Sequence, residues 1–139
     1  MKVSEIMHRK ATWVAPTTSL VDIAKMMRDE DIGAVPVGEN DRLVGMVTDR
    51  DITCRGLTNG PKINELKAKD VMTKGIFYCR DDEEIDDAAR IMERERVRRL
   101  PVINEKKRMV GMLSLGDISA RANAALSAEV MKAVSAHHP

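Results

Sequence analysis

Two short stretches of this 139-residue chain place a hydroxyl three residues ahead of a carboxylate, behind a glycine. They are Gly45-Met46-Val47-Thr48-Asp49-Arg50-Asp51 and Gly111-Met112-Leu113-Ser114-Leu115-Gly116-Asp117. An ionised carboxylate only accepts hydrogen bonds, and its two oxygens can take two neighbouring hydroxyls at once. A hydroxyl where a strand gives way to a helix lies beside free backbone N–H groups and the positive end of the helix dipole, which favours phosphate. Packing alone rarely calls for a hydroxyl and an acid at the same two places twice, so the duplication points to a pair of equivalent small-molecule sites. Hydroxyl to acid over three residues is also the spacing of a helix capping box. Both readings stand on the residues, and one carboxylate can serve both if capping leaves a lone pair free.

The elements that position these groups repeat with a period of about 65 residues. Asp22, Ala24, Met27, Pro36 and Val37 recur as Asp87, Ala89, Met92, Pro101 and Val102. A short helix at residues 2–7 ends in Ile6-Met7, and Val71-Met72 occupies the matching place. An extended piece Thr12-Trp13-Val14 is matched by Phe77-Tyr78-Cys79. Leu20, Ile23, Ala24 and Met27, like Ile85, Ala88, Ala89 and Met92, fall at i, i+3, i+4 and i+7 and predict one apolar stripe per helix. Thr17 or Thr18 is the expected cap of the first, Asp81 or Asp82 of the second. Two hairpins follow, Ala34–Val37 with Leu43–Thr48 and Leu100–Ile103 with Met109–Ser114, turning at Gly38–Asp41 and Asn104–Lys107. A last helix begins near each hydroxyl. The first should end near Gly56, with Thr58-Asn59-Gly60-Pro61 as linker, and the second should run to about residue 135 on a stripe of Ile118, Ala122, Leu126, Val130 and Val134. That stripe needs a partner, either the first repeat or a second chain. The order is α-β-α-β-β-α written twice, an α+β fold. It divides into repeat 1 at residues 1–60, a linker at 61–67, repeat 2 at 68–121 and a C-terminal helix and tail at 122–139. Repeats of roughly 60 residues are marginal alone, so the two are expected to fold against each other.

Composition excludes several functions. The 23 basic and 22 acidic residues nearly cancel, so no global field drives the chain onto nucleic acid or an anionic membrane. Trp13, Phe77 and Tyr78 are the only aromatics, too few for a single-strand stacking surface, and packing is the expected role of Trp13 and Tyr78. The absence of a long apolar run argues against membrane insertion and for a cytoplasmic protein. Cys54 and Cys79 stand at unmatched positions and read as reduced, partly buried thiols. His8, His137 and His138 offer no metal-ligand spacing, and there is no nucleophile–base pair or phosphate loop, so neither a metal site nor an enzyme is expected.

Taken together, Ile6-Met7, Ile32-Gly33-Ala34-Val35-Pro36-Val37 and Gly45–Ile52, with their second copies, resemble a stand-alone pair of cystathionine-β-synthase (CBS) domains, the Bateman module, from Val3 to about Ala120. The resemblance implies two small domains packed sheet to sheet with clefts between them that take adenosine-containing ligands: AMP, ADP, ATP, NAD(H) or S-adenosylmethionine. It assigns the ribose to Asp51 and Asp117. Thr48 and Ser114 fall where phosphate would be met. The adenine would lie against Ile32, Val35 and Pro36 in one copy and Val97, Leu100 and Pro101 in the other. Arg98 and Arg99 replace Gly33 and Ala34, and arginine's fork suits phosphate. Leu115 and Gly116 replace Asp49 and Arg50, so the two sites are expected to be unequal. The resulting expectation is a regulatory sensor, often a homodimer, acting on a separate enzyme or transporter. The rival is a ligand-free interaction and dimerisation module that uses its C-terminal helix.

Overall fold

Leu20, Ile23 and Met27 line one side of helix α2 (Leu20–Glu30) and are buried, as are Ile85, Ala88, Ala89 and Met92 on α5 (Ile85–Glu95). The structure is a computed structural model describing residues 1–9, 13–74, 77–121 and 124–136. Ala24, expected in the first stripe, is exposed. Both helices start after the residues expected to cap them. Ser19 Oγ accepts the Asp22 N–H at 3.1 Å, while Thr18 Oγ1 takes the Ala15 N–H instead. Glu84 rather than Asp81 or Asp82 precedes α5, and no side chain caps it.

The chain forms two compact units whose limits differ from those of the repeats. A continuous unit spans Thr12–Ile76, and a split unit combines Met1–Ala11 with Phe77–Pro139. The reason lies in where each leading helix docks. Helix α1 (Val3–Ile6), which opens repeat 1, hydrogen-bonds through the Val3 and Ser4 N–H groups to the Glu83 and Asp81 carbonyls of repeat 2. Helix α4 (Ala68–Val71), which opens repeat 2, gives the Ala68 and Lys69 N–H groups to Thr18 and Pro16 of repeat 1. The boundaries at 60 and 68 describe the duplication, whereas the hydrophobic cores follow the exchanged helices.

In the continuous unit β1 (Ala34–Glu39) and β2 (Arg42–Thr48) form an antiparallel hairpin turning at Asn40 (φ 54) and Asp41 (φ 62). Both turn residues are left-handed, as a tight two-residue hairpin requires. Val14 bridges to Val37 and Thr73 to Met46. Of the extended piece expected there, Thr12 lies outside the described residues. In the split unit β3 (Cys79–Arg80), β4 (Arg99–Ile103) and β5 (Met109–Ser114) form a sheet in the order β3-β4-β5, and His8 bridges to Met112. The strand starts at Cys79, leaving Phe77 and Tyr78 exposed.

The units differ after the hairpin. The first follows β2 with one turn, α3 (Asp49–Asp51), then a wider π turn over Ile52–Gly56 and 3-10 turns over Leu57–Glu65, broken at Gly60 (φ 61) before Pro61. The residues expected as linker are therefore coiled in place. The second continues through α6 (Leu115–Arg121) and α7 (Ala124–Ser135). Leu126, Val130 and Val134 join the same core as α5, so the stripe is buried in its own unit rather than on the first repeat or left for a second chain. Ala122, which belongs to that stripe in the sequence, lies outside the described residues. Among the described residues no helix is long and apolar enough to cross a membrane.

Candidate functional site

The two hydroxyl–acid pairs stand at the same place in both units, where the second hairpin strand ends and a helix begins. Thr48 Oγ1 accepts the Asp51 N–H at 3.1 Å, and Asp51 Oδ2 accepts the Thr48 N–H at 2.9 Å. Ser114 Oγ accepts the Asp117 N–H at 3.1 Å, and Asp117 Oδ2 accepts the Ser114 N–H at 2.8 Å. Both are reciprocal capping boxes, so that reading of the motif is realised twice.

Each carboxylate has a second oxygen, and it is spent differently in the two units. Asp51 Oδ1 receives Arg55 Nη2 at 2.6 Å, and the same guanidinium nitrogen reaches Thr73 Oγ1 at 3.2 Å. Asp117 Oδ1 lies 2.7 Å from His8 Nε2. The carboxylates are nearly enclosed, their side chains 13% and 10% exposed, whereas Arg55 and His8 are 51% and 73% exposed. Each acid is thus held from inside by the box and covered from outside by a long or solvated partner. Reading the motif alone missed His8, Arg55 and Thr73. Arg55 was visible as the basic residue four positions after Asp51, and His8 and Thr73 as the matched residues after Ile6-Met7 and Val71-Met72.

The surroundings are unequal in charge. In the split unit the Arg98 carbonyl accepts the Leu115 N–H at 2.8 Å, and Arg99 pairs in register with Ser114. This brings the backbone of two exposed arginines alongside Ser114 and Leu115. In the continuous unit the Gly33 carbonyl accepts the Asp49 N–H at 3.0 Å, and a β-carbon on Gly33 would stand 3.1 Å from Asp49 Oδ2. An acid therefore stands against the backbone position that bears an arginine in the other copy.

The residues expected against an adenine divide. Val35 and Leu100 are fully enclosed in the cores of their own units, packed with α2 and α5 residues, and have no surface left for a base. Neighbouring strand residues face opposite ways, so Pro36 and Pro101 lie on the other face, also buried. Ile32 and Val97 are half-buried at the strand entrances. Trp13, 38% exposed, lies along the edge beside Gly38 rather than in a core. Cys54 is an exposed free thiol, and Cys79 is buried, its thiol pushed up to about 12 by desolvation, with Glu83 and Asp81 adding to the shift. Among the described residues no three His, Cys, Asp or Glu side chains converge as a metal site would need. His137 and His138 lie outside them.

Comparison with known proteins places these features in a family. The model of the CBS domain matches residues 3–55 and again residues 68–123. Hypoxic response protein 1 of Mycobacterium tuberculosis is 40% identical over 116 residues, covering 83% of this chain and 80% of its own. The crystal structure of a Hypoxic Response Protein I with two coordinated zinc ions superposes with a TM-score of 0.80 at 37% identity, over 88% of this chain and all of that one. CBSX2, a CBS-pair protein of Arabidopsis thaliana, solved in complex with AMP, superposes with a TM-score of 0.76 at 26% identity, over 87% of this chain and 95% of that one.

Proposed function

The chain belongs to the CBS-domain family as a tandem pair, and from that premise we propose that it is a regulatory sensor of adenosine-containing nucleotides. The observation that carries the proposal is the duplicated carboxylate with one oxygen fixed by the backbone and the other covered by an exposed, exchangeable partner. A ribose diol would take the place of Arg55 on Asp51, or of His8 on Asp117, while the box keeps the acid aimed. Thr48 and Ser114 with the first N–H groups of the following helix would meet the phosphates. The AMP complex of CBSX2 supports the ligand class. The two zinc ions are a feature of the Hypoxic Response Protein I structure, and the reading proposed here makes no use of them.

Arg98 and Arg99 make the split unit the station for a phosphorylated ligand, and Asp49 makes the continuous unit less receptive to one. Ligand entry at Asp117 releases His8 on the segment that opens the chain. Entry at Asp51 releases the Arg55 grip on Thr73, on the segment after α4. Occupancy is then read at the two exchanged segments, and a separate protein that prefers one of the two arrangements receives the signal. No step in this scheme requires catalysis.

The test is thermal unfolding with AMP, ADP, ATP, NAD, NADH and S-adenosylmethionine. A ligand at ~100 times its Kd stabilises by about 2.7 kcal/mol. Asp117→Asn and Asp51→Asn keep an acceptor for the box and lose the paired negative oxygens, so binding at one station should weaken tenfold or more, about 1.4 kcal/mol. Asp→Ala variants also remove the cap, costing roughly 0.5–2 kcal/mol of stability, and serve less well. No stabilisation by any of these ligands would favour the ligand-free interaction module, to which the intact Asp51–Arg55 and Asp117–His8 pairs would then belong.

A further inference from the structure

The two acids are covered by side chains of different chemistry. Asp51 Oδ1 is met by the Arg55 guanidinium, which stays charged throughout the physiological range. Asp117 Oδ1 lies 2.7 Å from His8 Nε2, and histidine is the side chain whose charge ordinarily changes between about pH 5 and 8. The His8 backbone is fixed, its N–H and carbonyl both bonded to Met112 of β5 at 2.9 Å. Its ring is 73% exposed, so it can turn off the acid with no backbone bond broken. Asp117 cannot follow, since Oδ2 is bound to the Ser114 N–H and the side chain is 10% exposed. Strand β5 brings no charged side chain to the ring, and α6 brings only Asp117 and Arg121. Arg121 gives its Nη1 to the Glu5 carbonyl at 3.2 Å and Arg9 its Nη2 to the Ser4 carbonyl at 3.1 Å, while the Glu5 carboxylate takes the Lys2 N–H. Arg98 and Arg99, whose backbone runs alongside Leu115 and Ser114, keep their charge over the same range. Among these groups only the imidazole is of the kind that changes charge near neutrality.

We propose that His8 is a proton-controlled competitor of the ligand at Asp117, so that acid closes the split unit's station and leaves the continuous unit's station as it was. A neutral imidazole offers Asp117 one ordinary hydrogen bond, which a ribose diol exceeds with two. A protonated ring offers a charge-assisted bond about twice as strong, and the diol must displace that instead. Ligand therefore binds best while the ring is neutral, and by reciprocity a bound ligand drives the proton off. At Asp51 the ligand always competes with a charged guanidinium, so no such dependence arises there. The gate rests on the nucleotide reading above and adds a second input to it. One station reports the ligand alone, the other reports the ligand only where the medium is not acid.

The probe is adenosine 5′-methylphosphate, which keeps the ribose diol and whose phosphodiester holds one negative charge across the range, unlike the monoester of AMP. It is titrated calorimetrically into the full chain and into two variants that keep one station each, Asp51→Asn for the split unit and Asp117→Asn for the continuous one. Between about pH 8 and about pH 5.5 the affinity of the Asp51→Asn chain should fall about three- to fivefold, the span of a partly solvated ion pair. That of the Asp117→Asn chain should hold. Added to Asp51→Asn, His8→Gln should bind equally at both ends of the range, and His8→Arg weakly at both. Each replaces an exposed ring, so the unfolding temperature should stay near that of the parent. The gate alone is overturned if the Asp51→Asn chain binds no more weakly in acid, or loses binding that the unsubstituted chain shows. It is likewise overturned if the fall persists after His8→Gln or appears equally in Asp117→Asn. No binding by the unsubstituted chain at either pH overturns the gate and the nucleotide reading together.

Discussion

At Gly111 a β-carbon would stand 2.6 Å from the His8 carbonyl oxygen and 2.9 Å from Met7 Sδ, because the opening segment crosses the strand there. A β-carbon on Gly45 would stand 2.6 Å from Met72 Sδ and 3.1 Å from the Thr73 carbonyl oxygen in the other unit. Gly111→Ala presses on backbone and should cost about 1–3 kcal/mol in denaturant unfolding. Gly45→Ala presses first on a flexible thioether and should cost less. The glycines of the two motifs are legible as a pattern, but their cause is not, since it lies in the other repeat, at Met7 and His8 for Gly111 and at Met72 and Thr73 for Gly45. The acids were legible too, and their spacing allowed both capping and ligand binding. Only coordinates show that one oxygen is used for the first and the other is held by Arg55 or His8. Val35 and Leu100 are enclosed in the cores of their units, a difference from Pro36 and Pro101 that a motif quoted as a run hides, because it conceals the alternation of a strand. Cys79 supplies a further test. The unfolded thiol ionises first, near pH 9, and the folded one near 12, so stability present below pH 9 should drain away as pH rises between the two. Cys79→Val should flatten that alkaline limb in pH-dependent melts.

Helix α7 is the element whose role the sequence left open. Its four-residue spacing announced a buried face, and Leu126, Val130 and Val134 are indeed enclosed, yet against α5 of the same unit. Truncation after Arg121 should therefore lower the unfolding temperature and leave the mass in light scattering unchanged. Leu126→Ala should cost about 2–5 kcal/mol, a drop of many degrees for a chain of this size. Ala24 was assigned to a stripe on periodicity, which reports a helical face but not whether anything covers it. The cover depends on the following segment, and Gly60 and Pro61 keep that segment short in the continuous unit. Cap positions slipped by a turn or less for a related reason. Several hydroxyls and acids precede each helix, and hydrogen bonds made elsewhere, such as Thr18 to Ala15, decide which is left to cap.

For the molecule as a whole, the duplication, the family and the α-β-α-β-β-α order of the second repeat are readable from residues, because they depend on local period and motif, while the first repeat has only an isolated bridge at Val14 where its first strand is expected. The partition into units was not readable, since which copy a leading helix docks on is a matter of topology that identical repeats cannot reveal. That exchange has a consequence for how the protein is made. Thr12–Ile76 leaves the ribosome as one uninterrupted piece with everything its core needs. The other unit has its first strip, with Val3, Ile6 and Met7, translated before that piece and the rest after it. At roughly 5–20 residues per second the strip waits several seconds without its mate. Ribosome-stalled chains ending near residue 105 should already protect the first piece from protease while the leading residues remain open to cleavage or to a chaperone. A chain rearranged so that its leading nine residues follow residue 136 should shorten that exposure and refold faster.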